Sequence, residues 1–371
     1  MPTVFLYGTL CHPPLLRRVL GFEAKARAAV LPGFAVYLDA VEGLALIRPE
    51  PGGMAAGLVI DDPGAAGLAR LDWYAAIFGY RRGSAPVQEG GTTLPAIHYS
   101  IDDRAGQVAH GVWSLERWLR DDGGLAVAAA ADLMALFPGP VPVLRREARR
   151  VRASSRLRAE GEPAPTAVRR DAAVTDTATT QRREPYAHFF AVEEYDMTWR
   201  RFDGSFGPVV NRAAFVSGDA VTVLPYDPVR DRVLLVEQFR VGPFARGDRQ
   251  PWQLEPIAGR IDPGETPEEA ARREAVEEAG LRLGDLLQIA AYYPSPGAKS
   301  EFLYSYLALT DLPDGCAIIG GEESEAEDIR GHLVGFEALM GLVASGEAAC
   351  APLILSALWL QRERARLRGG R

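Results

Sequence analysis

The stretch from Thr266 to Gly280 constrains the fold more than any other, because both ends of a helix are written into it. Thr266 is a good N-cap, Pro267 suits the first helical position, and Glu269 stands three residues after the cap, as a capping box requires. Gly280 suits the left-handed position that ends a helix. The spacing therefore predicts a helix over 267–279. Its apolar positions Ala270, Ala271, Ala275, Val276 and Ala279 are small, so its inner face can approach a sheet closely. Glu274, Glu277 and Glu278 fall at i, i+3 and i+4 and share a face. No lysine interleaves them. Carboxylates so placed repel one another unless a hard divalent cation binds, and magnesium takes such oxygen ligands together with substrate phosphates. A plain acidic surface helix is the alternative, and the three glutamates alone favour it.

The wider register changes that balance. Gly259, Glu265, Arg273, Glu274, Glu277, Glu278 and Gly280 fall in one frame, with Ala275 and Leu281 in apolar slots. The tract resembles the Nudix hydrolase motif G-x5-E-x7-R-E-U-x-E-E-x-G-U, where U is apolar, and it matches at every fixed position. The resemblance implies hydrolysis of a diphosphate bond. It also implies magnesium, with manganese as the alternative, held by the Ala258 carbonyl and by Glu274, Glu277 and Glu278. Arg273 and Glu277 count among the catalytic positions, and Arg273 paired with Glu265 would hold the loop.

The resemblance extends to the ADP-ribose pyrophosphatase branch over roughly residues 185–365. The tract VLPYDPVRDRVLLVEQFR looks like that branch's hairpin before the box, which makes Arg240 a substrate-contacting candidate, with Arg212 and Arg260 as further ones. Residues 293–301, YPSPGAKSE, stand where the branch carries an S-P-G-G-x-S-E loop, so Ser295, Pro296, Gly297 and Glu301 become substrate-binding candidates. Ala298 replaces the second glycine. The acidic tract 322–330 resembles the loop that supplies a base, here Glu325, and a further metal ligand, here Glu327. ADP-ribose would yield AMP and ribose 5-phosphate. Aromatic residues in PYAHFFAVEEY (185–195) could stack on adenine, and in this family that strand can come from a partner subunit, which implies a homodimer. The rivals are a hydrolase of another nucleoside diphosphate sugar such as GDP-mannose, and a non-catalytic ADP-ribose sensor.

A chain of 371 residues is long for a single core, and an α+β architecture of two domains is expected. The expected boundaries are 1–140, a basic helix and connector over 141–182, and a Nudix α/β/α sandwich over 183–371. Arg145, Arg146, Arg149, Arg150, Arg152, Arg156 and Arg158 crowd the predicted helix at 141–159. A solvated face is the simpler reading of that run, and packing against an acidic patch is the alternative.

Before the boundary, VFLYGTL, GFAVYLDAV, MAAGLVI and LPAIHYSI read as strands, and PPLLRRVLG and AAGLARLDWYAAIFG as helices. The turn Tyr7-Gly8-Thr9-Leu10, with LPGF at 31–34 and LDWYAAIFGYRR at 71–82, resembles the gamma-glutamylcyclotransferase-like family. That resemblance implies a small mixed β-barrel with a pocket at Tyr7, Gly8, Thr9 and Leu10. The family's acid–base glutamate falls on Ala75, which cannot transfer a proton, so a non-catalytic domain is expected: a scaffold, a dimerisation surface or a small-ligand sensor. An intact cyclotransferase is the rival reading. The two-module layout also resembles Nudix proteins labelled as tellurite-resistance factors.

Three scattered cysteines form neither a disulfide framework nor a CxxC site. A net charge of −8 argues against non-specific nucleic-acid binding. The absence of a long apolar run argues against a membrane span, and a cytoplasmic location is the expectation.

Overall fold

Alternate residues of the first strand, β1 (Thr3–Leu6), face different cores: Phe5 looks into one, Val4 and Leu6 into another. A computed structural model of the chain describes residues 2–39, 44–101, 109–141, 146–321 and 327–369. It separates into two units, Met1–Ala213 and Ala214–Arg371.

In the first unit β1 is followed by α1 (Pro13–Leu20), β2 (Ala26–Asp39), β3 (Ala45–Asp61), α2 (Gly64–Ile77), β4 (Arg81–Glu89), β5 (Thr92–Ser100) and β6 (Ala109–Val112). Then come α3 (Leu115–Asp121), α4 (Gly123–Met134), α5 (Arg146–Gly161), β7 (Thr177–Ala187), β8 (Ala191–Trp199) and β9 (Val210–Val216), which starts in this unit and runs past its limit at Ala213. The order β3-β1-β5-β4-β2, with β2 returning to β3, closes a five-stranded barrel, and β6 pairs on β2. Phe5, Leu31, Ile47, Val59 and Val87 fill its interior. Val4, Leu6 and Ile60 point outward and pack under α1, α2 and α4. Each such Leu, Ile or Phe contributes about 1.5–3 kcal/mol by burial. Gly8 is obligatory in the first turn: its φ is +60°, and a Cβ there would stand 2.2 Å from the Ala45 Cβ. Strands β7, β8 and β9 form a separate sheet.

The second unit continues with β10 (Ala220–Asp227), β11 (Arg232–Phe239), α6 (Val241–Arg246), β12 (Trp252–Glu255), β13 (Ile257–Arg260) and α7 (Pro267–Ala279). It ends with β14 (Leu286–Tyr292), β15 (Leu303–Leu309), β16 (Ile319–Gly320), β17 (Ile329–Gly335), α8 (Phe336–Ser345) and α9 (Ala351–Gly369). The sheet runs β14-β15-β10-β11-β17-β16, with β13 on β10 and β12 on β11; β10 and β15 are parallel. Period-two alternation builds two layers. Val221, Val223, Leu234 and Val236 meet the alanines of α7, whereas Leu224, Tyr226, Val233 and Leu235 meet α8 and α9. A mixed sheet between helices is the expected sandwich. Among the described residues, no helix is long and apolar enough to cross a membrane.

The helix α7 forms as its sequence dictates. Thr266 Oγ1 accepts from the Glu269 amide at 3.2 Å, and the Glu269 carboxylate accepts from the Thr266 amide at 2.8 Å. Gly280 ends the helix at φ +63°. Thr266→Ala is expected to cost about 1 kcal/mol of stability, read as a lower urea midpoint with unchanged slope; an unchanged midpoint would show that packing alone fixes the helix start.

Two readings of the sequence need correction. The arginine run is not simply a solvated face: among its described side chains Arg149 and Arg152 are buried, and their carboxylate partner is Glu184 of β7. The tract read as an extended connector becomes a strand from Thr177 onward. Cross-strand ion pairs hold it, Arg182 to Glu193 and Arg183 to Asp196, so apolar periodicity could not reveal it. Helix α4 was also absent from the sequence reading, because GGLAVAAAADLM is apolar on every side and shows no helical stripe.

Candidate functional site

The site grows from the contact between β13 and α7. Gly259 lies against the Glu274 carboxylate: a Cβ at 259 would stand 1.8 Å from Glu274 Oε1. The first residue of the box is therefore glycine for want of space. One position earlier, the Ala258 amide donates to Glu278 Oε2 at 3.3 Å. Glu278 is only 2% exposed. Burial pushes the Glu278 carboxyl up to about 8, with Glu274 and Glu327 pushing the same way. Burial likewise pushes Glu274 up to about 7, reinforced by Glu277 and Glu327 and opposed by Arg273. The chain has forced anionic groups together where water does not balance them.

The Arg273 guanidinium laces the box. It donates to Glu265 Oε1 (2.8 Å), Glu274 Oε1 (2.7 Å) and Glu277 Oε2 (2.8 Å). It also donates to the Arg260 carbonyl at 2.9 Å. This pairing holds Glu265 below the usual carboxylate range, and the Asp262 amide adds to it. Loop, strand and helix are thereby tied to one side chain.

The sequence did not single out Gly320 and Gly321. A Cβ on Gly320 would meet the Glu278 carbonyl at 2.3 Å, and the Gly321 amide donates to the Glu277 carbonyl at 3.3 Å. These glycines let β16 lie on the last turn of α7, which brings Glu327 near the box acids. The signal was present as two adjacent glycines before the acidic tract. Glu255 was also missed: it pairs with Arg240 at 2.7 Å, and burial raises its carboxyl.

The other candidates divide. Ser295 caps a turn in its exposed loop, its carbonyl accepting from Ala298 (3.0 Å) and Lys299 (2.9 Å), with Pro296 and Gly297 inside that turn. Glu301 accepts from Ser217 Oγ and Lys299 Nζ, each at 3.4 Å. Arg212 belongs to the first unit, 5.7 Å from the Trp199 ring centroid. Glu325 lies outside the described residues. In the first unit, Ala75 does line a cavity with Tyr7, Thr9 and Leu10.

Among the described residues, no three His, Cys, Asp or Glu side chains converge as a ready metal cluster. The donor chemistry nonetheless fits magnesium. Ala258, Glu274 and Glu278 offer oxygen only, and this ion takes one or two carboxylates and completes its shell with water and phosphate. Burial disfavours the charged forms of Glu274 and Glu278, and a divalent cation between them would favour those forms again.

The NUDIX domain family matches residues 216–353, and the gamma-glutamyl cyclotransferase, AIG2-like family matches residues 4–118. An ADP-ribose pyrophosphatase of Escherichia coli K12 is 37% identical over 186 residues, covering 50% of this chain and 88% of that protein. The ADP-ribose pyrophosphatase of Haemophilus influenzae is 34% identical over 49% of this chain and 84% of its own length. A GDP-mannose pyrophosphatase of Salmonella paratyphi A is 32% identical over 45% of this chain and 84% of its own. A solved structure titled as an ADP compounds hydrolase aligns at 22% identity over 52% of this chain and 98% of its own, with a TM-score of 0.39. A sheet between helices, with the box acids on α7, defines a hydrolase of phosphorus-containing anhydrides. The chain belongs to the Nudix family, and an AIG2-like domain precedes its Nudix domain.

Proposed function

We propose that the chain hydrolyses the diphosphate bond of ADP-ribose, giving AMP and ribose 5-phosphate, in a magnesium-dependent reaction. The observation that carries this reading is the buried pair Glu274 and Glu278, kept carboxylates in a full Nudix register although burial disfavours their charge. A binding module gains nothing from such a pair. The names of the relatives favour ADP-ribose over GDP-mannose, since the higher identities go with the former.

The Ala258 carbonyl, Glu274, Glu277, Glu278 and Glu327 would hold magnesium; manganese would serve the same donors. Bound there, the ion supplies Lewis acidity toward the diphosphate oxygens. Arg273 positions the carboxylates of Glu274 and Glu277. Arg240, held by Glu255, and Arg260 meet the substrate's anionic groups. The loop carrying Ser295, Pro296, Gly297 and Glu301 closes over the sugar side, and Glu325 takes the proton from the attacking water. Arg212 and the aromatic strand near Tyr186 and Phe189 are assigned to the nucleoside end, contributed across a homodimer; both rings are about half exposed. The domain limits 1–140, 141–182 and 183–371 belong to the same proposal, as does a cytoplasmic setting.

The test is AMP release from ADP-ribose and GMP release from GDP-mannose at equal concentration, with magnesium and with excess EDTA. ADP-ribose is expected to be cleaved at least tenfold faster in kcat/KM, about 1.4 kcal/mol of discrimination, and EDTA to abolish both. Faster GDP-mannose cleavage would reassign the substrate, and ADP-ribose binding without AMP would make the domain a sensor.

A further inference from the structure

The first unit contains a cavity of about 130 Å³ beside the Tyr7–Leu10 turn. Its chemistry does not suit a polar amino-acid derivative. Ala75 stands in the wall where the cyclotransferase resemblance places a glutamate. The Tyr7 hydroxyl is committed to the Tyr99 carbonyl at 2.6 Å, and the Tyr80 hydroxyl to the Ala45 carbonyl at 2.8 Å. Leu10, Trp118, Leu125, Ala129 and Leu133 make much of the remaining wall apolar. Leu125, Ala129 and Leu133 belong to α4, beyond the residues 4–118 that match the AIG2-like family. This part of the wall is an addition to the barrel.

The same is true of the positive charge that reaches the cavity, which comes from Arg149 and Arg150 of α5. Arg150 is neutralised by Asp122 at 2.7 Å. Arg149 is not so simply satisfied. Its side chain is 6% exposed and its terminal nitrogens grip Glu184, but its Nε has no acceptor. Arg152 is 4% exposed, and its Nη1 has only Glu184 at 3.7 Å, beyond hydrogen-bonding reach. Arg182 Nε is a third buried donor without an acceptor. Buried charges of this kind are costly unless paired, and orphaned buried donors are rare in native proteins. Arg149 and Arg152 share one carboxylate, Glu184, whereas Arg156 and Arg182 pair with Asp132 and Glu193, so among the described residues the group around Arg149 sets two cations against one anion and keeps one positive charge.

We propose that this cavity binds a small apolar monocarboxylate, its body among Leu125, Ala129, Leu133 and Trp118 and its carboxylate beside Arg149. Each attribute follows from the wall. The volume is near that of cavities that hold a single benzene-sized body, so the ligand is compact. The lining makes that body apolar. A single excess positive charge matches a monoanion, and a guanidinium is shaped to take a carboxylate. A phosphate dianion would overshoot the charge and lose its remaining hydrogen bonds against the apolar wall.

The experiment is calorimetric titration of the full chain with hexanoate, hexan-1-ol and hexylamine, which share the body and differ in the head. Hexanoate is expected to bind one to one and saturably. Hexan-1-ol is expected to bind at least tenfold more weakly, and hexylamine not at all. An Ala129→Trp variant, which fills the cavity, is expected to lose hexanoate binding at least tenfold while AMP release from ADP-ribose persists. If that variant does not fold, the comparison of heads on the parent chain decides alone. No saturable heat with hexanoate, equal binding of hexylamine, or undiminished binding in a folded Ala129→Trp variant would each overturn the proposal.

Discussion

Glu278→Gln is expected to lower kcat for AMP release about a thousandfold, about 4 kcal/mol of lost transition-state stabilisation, while the protein becomes no less stable. The two halves of this result have one cause. Glu278 is buried at 2% exposure beside Glu274 and Glu327, and all that contact does in the absence of a cation is disfavour its charge. Glutamine keeps the shape and can still accept from the Ala258 amide, which now donates to Oε2 at 3.3 Å. It removes one member of a repelling group, so stability in EDTA is expected to rise by about 1 kcal/mol, the usual signature of a strained functional residue. Magnesium should stabilise the parent against urea and the variant much less. If kcat and stability fall together, Glu278 is a structural residue of the helix; if kcat is unchanged, the metal is held elsewhere.

How much of this could be read without coordinates varied with the range of the interactions. The helix α7 was legible because its cap, its proline and its terminal glycine act within one turn, and all three behave as written. Helical spacing put the box acids on one face, but not which would be buried; that depends on the sheet against which α7 packs. Gly259 was recognised only as a letter of the motif. Its reason, the Glu274 carboxylate in the space of its missing side chain, is a contact between residues fifteen apart in sequence that meet across strand and helix. Strand β7 was not legible because ions rather than alternating apolar residues hold it. The burial of Arg149 and Arg152 was misread for a related reason: a run of arginines looks solvated until its partners on a distant strand are known.

Gly259→Ala tests that contact directly, and it is expected to reduce AMP release about a hundredfold at low magnesium with little loss of stability. The new methyl would stand 1.8 Å from Glu274 Oε1 and 2.0 Å from its carboxyl carbon, so the carboxylate must swing away. Moving the tip of a side chain is cheap, and Gly259 lies outside the positive-φ region, so the fold should survive with a change of about 1 kcal/mol or less. A displaced ligand is costly to function, because a misplacement of about 1 Å can lose a hundredfold in rate. The expected signature is a higher magnesium requirement, partly restored by excess metal. A cycle with Glu274→Ala sharpens the argument. If the methyl acts only by evicting this carboxylate, then adding Gly259→Ala to Glu274→Ala should cost nothing further, and the two effects will be strongly non-additive. Additive losses would mean that the methyl disturbs β13 itself, and that the Ala258 carbonyl rather than Glu274 is what this glycine protects.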